Sequence, residues 1–244
     1  MTKQEMMQIV RGQLSIDYNC CPEDFDKDGV IFTVAEKWPG RREMPFVQPR
    51  LEVITMGKST IVNASKSIMP YVKRKFAGKS GYEILTSELV YGVNPYYLPD
   101  PVVCEAVPVP GYIFTLRNQN VQDFYRFDGF HNALQYDRAS KRPEMLAAAA
   151  YSGSTLVGLA CASADSRAMW QIGLDVLPQH RGRGIAVQLV RLLTAETLRR
   201  GIVPYYTTDC SNIPSQKVAF KSGYCPAWSH CFKTRRPKIS IFGI

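Results

Sequence analysis

The sequence predicts an α/β protein built on a mixed sheet, and three observations carry that prediction. Short runs rich in β-branched and small apolar residues alternate with segments of helical period. Two of the runs, Met145–Tyr151 and Thr155–Ser163, are parted only by Ser152-Gly153-Ser154, a good hairpin turn. A helical repeat from Gly184 to Arg200, apolar at Ile185, Leu189, Leu192, Leu193 and Leu198, then lies between further strand-like runs. Gly201 stands where its C-terminal cap belongs.

In chain order, the first unit, residues 1–98, is expected to be a smaller α/β unit. An amphipathic helix is expected over residues 3–13, and strands at Val30–Ala35 and Val53–Thr55. A helix fits Ser65–Phe76, with Pro70 starting or interrupting it. Gly57-Lys58-Ser59 resembles the end of a phosphate-binding loop. The glycine that such a loop needs five residues earlier is Glu52, so a strand-connecting turn is the expectation. Prolines 95, 99, 101, 108 and 110 remove backbone donors and suggest an extended connector over residues 99–110. The second unit, 111–244, reads as strand Tyr112–Leu116, a helix start at Val121–Phe127, the hairpin, strand Met169–Val176 and the long helix. Strand Val203–Thr208, helix Ser215–Ser222 and strand Tyr224–Phe232 complete it. The order is β-α-β-β-β-α-β-α-β.

Composition narrows the function classes. Of 244 residues, 45% are hydrophobic and 21% charged, which is enough apolar material for a real core. The net charge of +9 would help bind anything acidic. Its densest runs, Lys73-Arg74-Lys75 and Lys233 to Lys238, are short and read as solvated surface. No aromatic-basic interleaving of the recognition kind is present, so no nucleic-acid partner is expected. Seven cysteines with no CxxC spacing suit reduced thiols in a cytoplasmic protein without a metal. The N-terminus lacks the apolar core of a signal peptide. The longest apolar run is far short of a membrane span, so no membrane partner is expected.

The chemistry is concentrated in Gln179-His180-Arg181-Gly182-Arg183-Gly184-Ile185-Ala186, between a strand and the long helix. Glycines 182 and 184 let the backbone turn tightly and approach a ligand without a Cβ in the way. Unpaired amides at the helix start, where the helix dipole favours negative charge, make a pyrophosphate cradle to which Arg181 and Arg183 add charge. Gln-x-x-Gly-x-Gly in this position resembles the acetyl-CoA motif of the GNAT superfamily of N-acetyltransferases. The segment Asn212-x-x-Ser215-x-x-Val218-Ala219-x-Lys221-x-Gly223-Tyr224 resembles that superfamily's second cofactor motif. The resemblance covers residues 111–240 and leaves the first unit aside.

It implies a GNAT-type fold and an acetyl-CoA-dependent transfer of an acetyl group directly to a primary amine of a small molecule or peptide. The main chain of Leu174, Asp175 and Val176 would pair with the pantetheine arm as an added strand. Gln179, Arg181 and the amides from Gly182 through Arg183, Gly184, Ile185 and Ala186 to Val187 would hold the pyrophosphate. Asn212 and Ser215 would contact the cofactor arm. The Val176 N–H would stabilise the developing oxyanion. No cysteine nucleophile is needed, so Cys161 and Cys210 read as core residues.

Two positions depart from the family's pattern. Gln171 stands where many members have a glutamate base, and Ala219 where a tyrosine acid often lies. A water held by Gln171, the side chains of Tyr205, Tyr206 or Asp209, His131, and an amine of low pKa remain open as substitutes. The loss of both groups also leaves open a non-catalytic acyl-CoA-binding or sensing module. Acceptor choice would lie in residues 117–144, whose acids and aromatics suit a cationic amine or an ordinary exposed helix. Residues 1–98 could shape that cleft, mediate a homodimer or be a degenerate second copy of the fold.

Overall fold

The computed structural model describes residues 1–44, 46–100 and 108–233. Helix α1 (Lys3–Tyr18) opens with a reciprocal cap between Thr2 and Glu5. It lays Met6, Val10, Leu14 and Tyr18, spaced by four, against the sheet. Strands β1 (Val30–Val34), β2 (Leu51–Thr55) and β3 (Thr60–Ala64) follow, then helices α2 (Met69–Phe76) and α3 (Gly81–Leu85) and strand β4 (Val90–Pro99). Pro70 sits in the first turn of α2, where its missing N–H costs nothing. Gly57-Lys58-Ser59 is the β2–β3 turn: Thr55 Oγ1 accepts from Gly57 N at 3.1 Å and donates to the Ser59 carbonyl at 2.7 Å.

The second half supplies β5 (Ile113–Arg117), β6 (Glu144–Ser152), β7 (Thr155–Ala164), β8 (Met169–Val176) and helix α4 (Ile185–Arg199). Strand β9 (Val203–Thr207), helix α5 (Ile213–Lys221) and strand β10 (Tyr224–Lys233) complete it. The helix start expected at Val121 is a single 3-10 segment, Val121–Arg126. Gly201 follows α4 with φ 74°, the left-handed geometry expected past a helix end. The mixed α/β class holds: all ten strands join one sheet in the order β1-β3-β2-β10-β4-β9-β8-β7-β6-β5. Helices α2 to α5 cover one face, and α1 with residues 121–142 covers the other. Apolar cover on both faces explains the unbroken small-residue run Leu146–Ala150 in β6, whose side chains are all buried. No helix among the described residues is long and apolar enough to cross a membrane.

Strand β4 departs most from expectation. Pro95 and Pro99, counted among the prolines that suggested a connector, lie within a strand between β9 and β10, and residues 101–107 of the expected connector lie outside the described residues. The prolines are tolerated because the ladder with β9 is only Tyr96 opposite Thr207 and Tyr97 opposite Tyr206. Pro95 lies just beyond it, where its carbonyl accepts from Thr207 Oγ1 at 3.1 Å and no N–H is required. Tyr96 stacks on Trp228 at 4.8 Å and on Tyr205 at 5.9 Å. A fragment of residues 99–244 lacks β4, and we expect it to lose cooperative thermal unfolding. A sharp circular-dichroism transition near that of the full chain would show that β9 and β10 hold without it.

Charges are buried beneath the loop that follows β1. Arg42 donates from its main-chain N at 2.9 Å and from Nε to the Asp17 carboxylate. Arg41 lies 3.5 Å from Glu52, which also pairs with Arg50. His230 Nε2 is 3.7 Å from Glu52 Oε1. Burial, with help from the three guanidinium groups and against the pull of Glu52, lowers the His230 imidazole from the ordinary 6.5 to about 4. Folded His230 therefore stays neutral where an unfolded histidine takes a proton. Its contribution is complete above pH 6.5 and is lost as pH falls toward 4, amounting to roughly 3 kcal/mol at about 1.4 kcal/mol per unit. In urea unfolding across that window, His230→Gln is expected to lose less stability on acidification than the parent chain. Parallel losses would refute the assignment.

Candidate functional site

The site begins where β8 and β9 stop pairing. They run parallel from Met169 opposite Val203 to Ile172 opposite Tyr206, and no pair follows. On its other side β8 stays paired with β7 up to Val176 opposite Gly158, and Leu177 N continues to the Val157 carbonyl at 2.9 Å. Hydrogen bonding along a strand alternates between its two edges. The main-chain groups of Gln171, Gly173 and Asp175 therefore turn to β7. Those of Leu174 and the Val176 N–H turn into the opened gap. Asp175 main chain, expected to pair with a cofactor arm, is committed to β7.

At the end of this gap stands the glycine turn. Gly182 and Gly184 have φ of 76° and 87°, and Gly184 is the residue that opens α4. The first bond of α4 runs from Gln188 N to the Gly184 carbonyl at 3.1 Å. The amides of Ile185, Ala186 and Val187 therefore have no helical acceptor. Ile185 and Leu189 anchor the helix in the core, and Gly158 of β7 makes room for it. A Cβ on Gly158 would stand 3.0 Å from Ile185 Cγ2 and 3.1 Å from Leu189 Cδ1. Arg181 Nε donates to the Val176 carbonyl at 2.9 Å. Arg183 Nη1 donates to Tyr112 Oη, which also contacts His180 Nδ1, each at 3.0 Å. Both arginines thus hold the turn together as well as charging it, and Gln179 is exposed. Tyr112 was not foreseen; nothing local in the sequence links it to a turn 68 residues away.

The second motif lies across the gap. Asn212 Oδ1 caps α5 by accepting from Ser215 N at 3.1 Å, and Ser215 Oγ is 2.7 Å from Tyr206 Oη. Burial raises the Tyr206 hydroxyl, so it stays protonated at neutral pH. Asp209 is exposed beyond β9, and its carbonyl accepts from Asn212 N at 3.0 Å. Cys161 is core, as expected, whereas Cys210 is exposed on the loop before α5, which corrects its reading as a core residue.

Tyr206 and Gln171 end up on opposite faces. Tyr206 aligns with Ile172 among the α4 and α5 contacts, while Gln171 aligns with Tyr205 on the face of α1. On that second face a cleft of about 570 Å³ is lined by residues 131–137 with Arg142, Ser163, Gln171 and Gly173. Its rim is pinned to β8 by the Asp175 carboxylate, which accepts from Asn132 N at 2.7 Å, Asn132 Nδ2 at 2.6 Å and Ala133 N at 3.0 Å. His131 is exposed at the rim, with Nε2 3.2 Å from Asp128. Gln171 Oε1 accepts from Arg142 Nη2 at 2.9 Å, with Tyr205 Oη 3.4 Å away. Arg142 Nε and Tyr205 Oη also donate to Asp165, which is fully buried and whose carboxyl is raised by that burial. This Arg142–Asp165–Tyr205 group escaped sequence reading, because its members are separated by 23 and 40 residues. No cluster of His, Cys, Asp or Glu suited to a metal ion occurs among the described residues.

Residues 113–224 match the acetyltransferase (GNAT) family, and the chain carries a GNAT acetyltransferase domain there. That family implies acyl-CoA-dependent acetyl transfer. Similar solved structures include a GCN5-related N-acetyltransferase-like protein from Streptococcus suis 89/1591, 16% identical over 72% of each chain with a TM-score of 0.45. A GNAT-family acetyltransferase from Colwellia psychrerythraea is 13% identical over 71% of this chain and 76% of its own, with a TM-score of 0.46. An aminoglycoside N-acetyltransferase in complex with CoA is 23% identical over 47% of this chain and 92% of its own, with a TM-score of 0.38. No curated protein matches the chain.

Gly173 gives a direct test of the cleft. A Cβ there would meet the Asn132 carbonyl oxygen at 2.0 Å, and that oxygen is main chain and cannot swing away. Gly173→Ala is expected to push the 130–134 turn off β8 and to speed hydrogen exchange of the Ala133 amide at least tenfold. Unchanged protection would mean that the turn is not docked as described.

Proposed function

From the GNAT membership of residues 113–224, we propose that the protein transfers an acetyl group from acetyl-CoA directly to a primary amine in a ternary complex. One observation carries the proposal: the β8–β9 gap leads from unpaired groups of Leu174 and Val176 straight to the free amides that open α4. An extended amide-bearing arm pairs naturally with a strand edge of this kind. Diphosphate suits amides 185–187 beside Gly182 and Gly184. Acetyl-CoA, when bound, supplies the activated acetyl group.

The protein's own groups would then do three things. The Val176 N–H donates to the developing oxyanion. The cleft on the Gln171 face admits the amine, which sheds its proton to water held there, because an amide side chain takes up no proton at neutral pH. Tyr206, on the other face and still protonated, is the donor for the leaving thiolate.

A second reading, an acyl-CoA-binding module without turnover, is favoured by one observation. Gln171 spends its Oε1 on Arg142 at 2.9 Å and, as an amide, takes up no proton at neutral pH. Calorimetric titration with acetyl-CoA, followed by thiol release over an amine panel, separates the two. Transfer predicts micromolar binding that needs the pantetheine arm, together with turnover; binding alone supports the module. Gly182→Asp and Gly184→Asp add strain at positive φ and negative charge in the cradle, and each is expected to weaken acetyl-CoA binding at least a hundredfold. Wild-type affinity in either folded variant would place the cofactor elsewhere.

A further inference from the structure

The cleft that would receive the amine holds a cation arranged in an unusual way. Arg142 is the one Arg or Lys among the residues lining it. Its Nε is held by Asp165 and its Nη2 by Gln171, while Nη1 has no protein partner among the described residues. The Arg142 side chain is 24% exposed and Asp165 is wholly enclosed. Both oxygens of Asp165 are used, one by Arg142 and the other by Tyr205. Beneath them Arg42 lies over the Tyr205 ring at 5.5 Å. A surface arginine that only neutralised a carboxylate would not be fixed from two sides with a free edge left in a cleft. A guanidinium so fixed presents planar donors at a set angle, which is the requirement for recognising an oxyanion.

We infer that the acceptor carries, besides its amine, an oxyanion that Arg142 binds at the Gln171 end of the cleft, with Asp165 and Tyr205 as positioning residues. This inference rests on the acetyl-transfer reading. The distance along β8 adds a length requirement. Arg142 meets the strand at Gln171, and the Val176 N–H that would face the acetyl carbonyl lies five residues on. At about 3.3 Å per residue that separation is roughly 16 Å. An α-amino acid, with ammonium and carboxylate on one carbon, is too short to reach both points. An extended pentapeptide spans about 17 Å. A carboxylate or a phosphate at that distance satisfies the same donors.

The test compares matched acceptors for acetyl-CoA-dependent thiol release: pentaglycine against pentaglycinamide, 12-aminododecyl phosphate against 12-aminododecanol, and glycine against glycinamide. The charged member of a long pair is expected to have a KM at least tenfold lower at similar kcat, with no such advantage for glycine. Preference in the first pair identifies a carboxylate, and preference confined to the second identifies a phosphate. Arg142→Gln should abolish the preference and leave acetyl-CoA affinity unchanged by calorimetry, Arg142→Lys should keep part of it, and Tyr205→Phe should raise KM for the charged acceptors alone. Equal KM values within both long pairs would overturn the inference without touching acetyl transfer, and this wild-type comparison needs no variant to fold. Preference that survives in Arg142→Gln would also overturn it, as would acetyl-CoA binding with no release from any acceptor. Failure to bind acetyl-CoA at all would instead remove the reading on which it rests.

Discussion

Strand β4 is the constraint on which the rest of the sheet depends. It stands between β9 and β10, and so joins strands β1, β3, β2 and β10 to strands β9 through β5 in one sheet. It also makes the site geometrically possible. Strand β9 leaves β8 after only four paired positions, and a strand abandoned on one edge must be held on the other. Tyr96 and Tyr97 of β4 take that place opposite Thr207 and Tyr206, where β9 has parted from β8 or is about to. The Tyr96 stack on Trp228 and Tyr205 then fixes β9 and β10 from one side chain. Side-chain packing does here what a longer hydrogen-bonded ladder would otherwise have to do.

The same face carries a chain of polar contacts from the first half into the cleft. Glu52, His230 and Arg41 lie at one end; Arg42, Tyr205, Asp165, Arg142 and Gln171 follow. Glu43 N donates to the Asp165 main-chain carbonyl at 2.8 Å, so the loop at residues 41–44 is tied to the backbone of that residue. Buried ion pairs of this kind add little net stability, because desolvation offsets most of their attraction. What they do impose is geometry, since every member has few alternative partners. The first half of the chain thereby backs the Tyr205–Asp165 pair that holds Arg142, though no motif in it announces a function.

Much of the second half was legible because its signals are local. The hairpin at Ser152-Gly153-Ser154, the period of α4 and the glycine turn each follow from neighbouring residues, and each lies where the pattern puts it. Strand β4 was hidden for a physical reason: prolines are poor central-strand residues, and only the short ladder with β9 excuses Pro95. Gly158 and Gly173 were hidden differently. Their value lies in what packs on them, the side chains of α4 and the Asn132 carbonyl, and neither neighbour is close in sequence. Arg142, Asp165 and Tyr205 belong to the same class. The period of two puts Tyr205 and Tyr206 on opposite faces of β9, but which of them meets the cleft depends on the pairing with β8.

That division of faces bears on the missing proton-transfer groups. If a single residue had to serve both the amine and the thiolate, Gln171 in place of a carboxylate would be a serious loss. The strand register separates the two tasks instead. Gln171 and the cleft lie on one face, and Tyr206 with Ser215 lies on the other, beside α4 and α5. In the proposed reaction the amine enters from the first face and the thiolate departs on the second, so each proton transfer is served from its own side of the sheet. An acceptor held by an oxyanion some distance from its amine would gain from the missing carboxylate as well. A glutamate at position 171 would compete for Arg142 and repel the group that Arg142 is there to bind, whereas a glutamine accepts from the guanidinium without cancelling its charge.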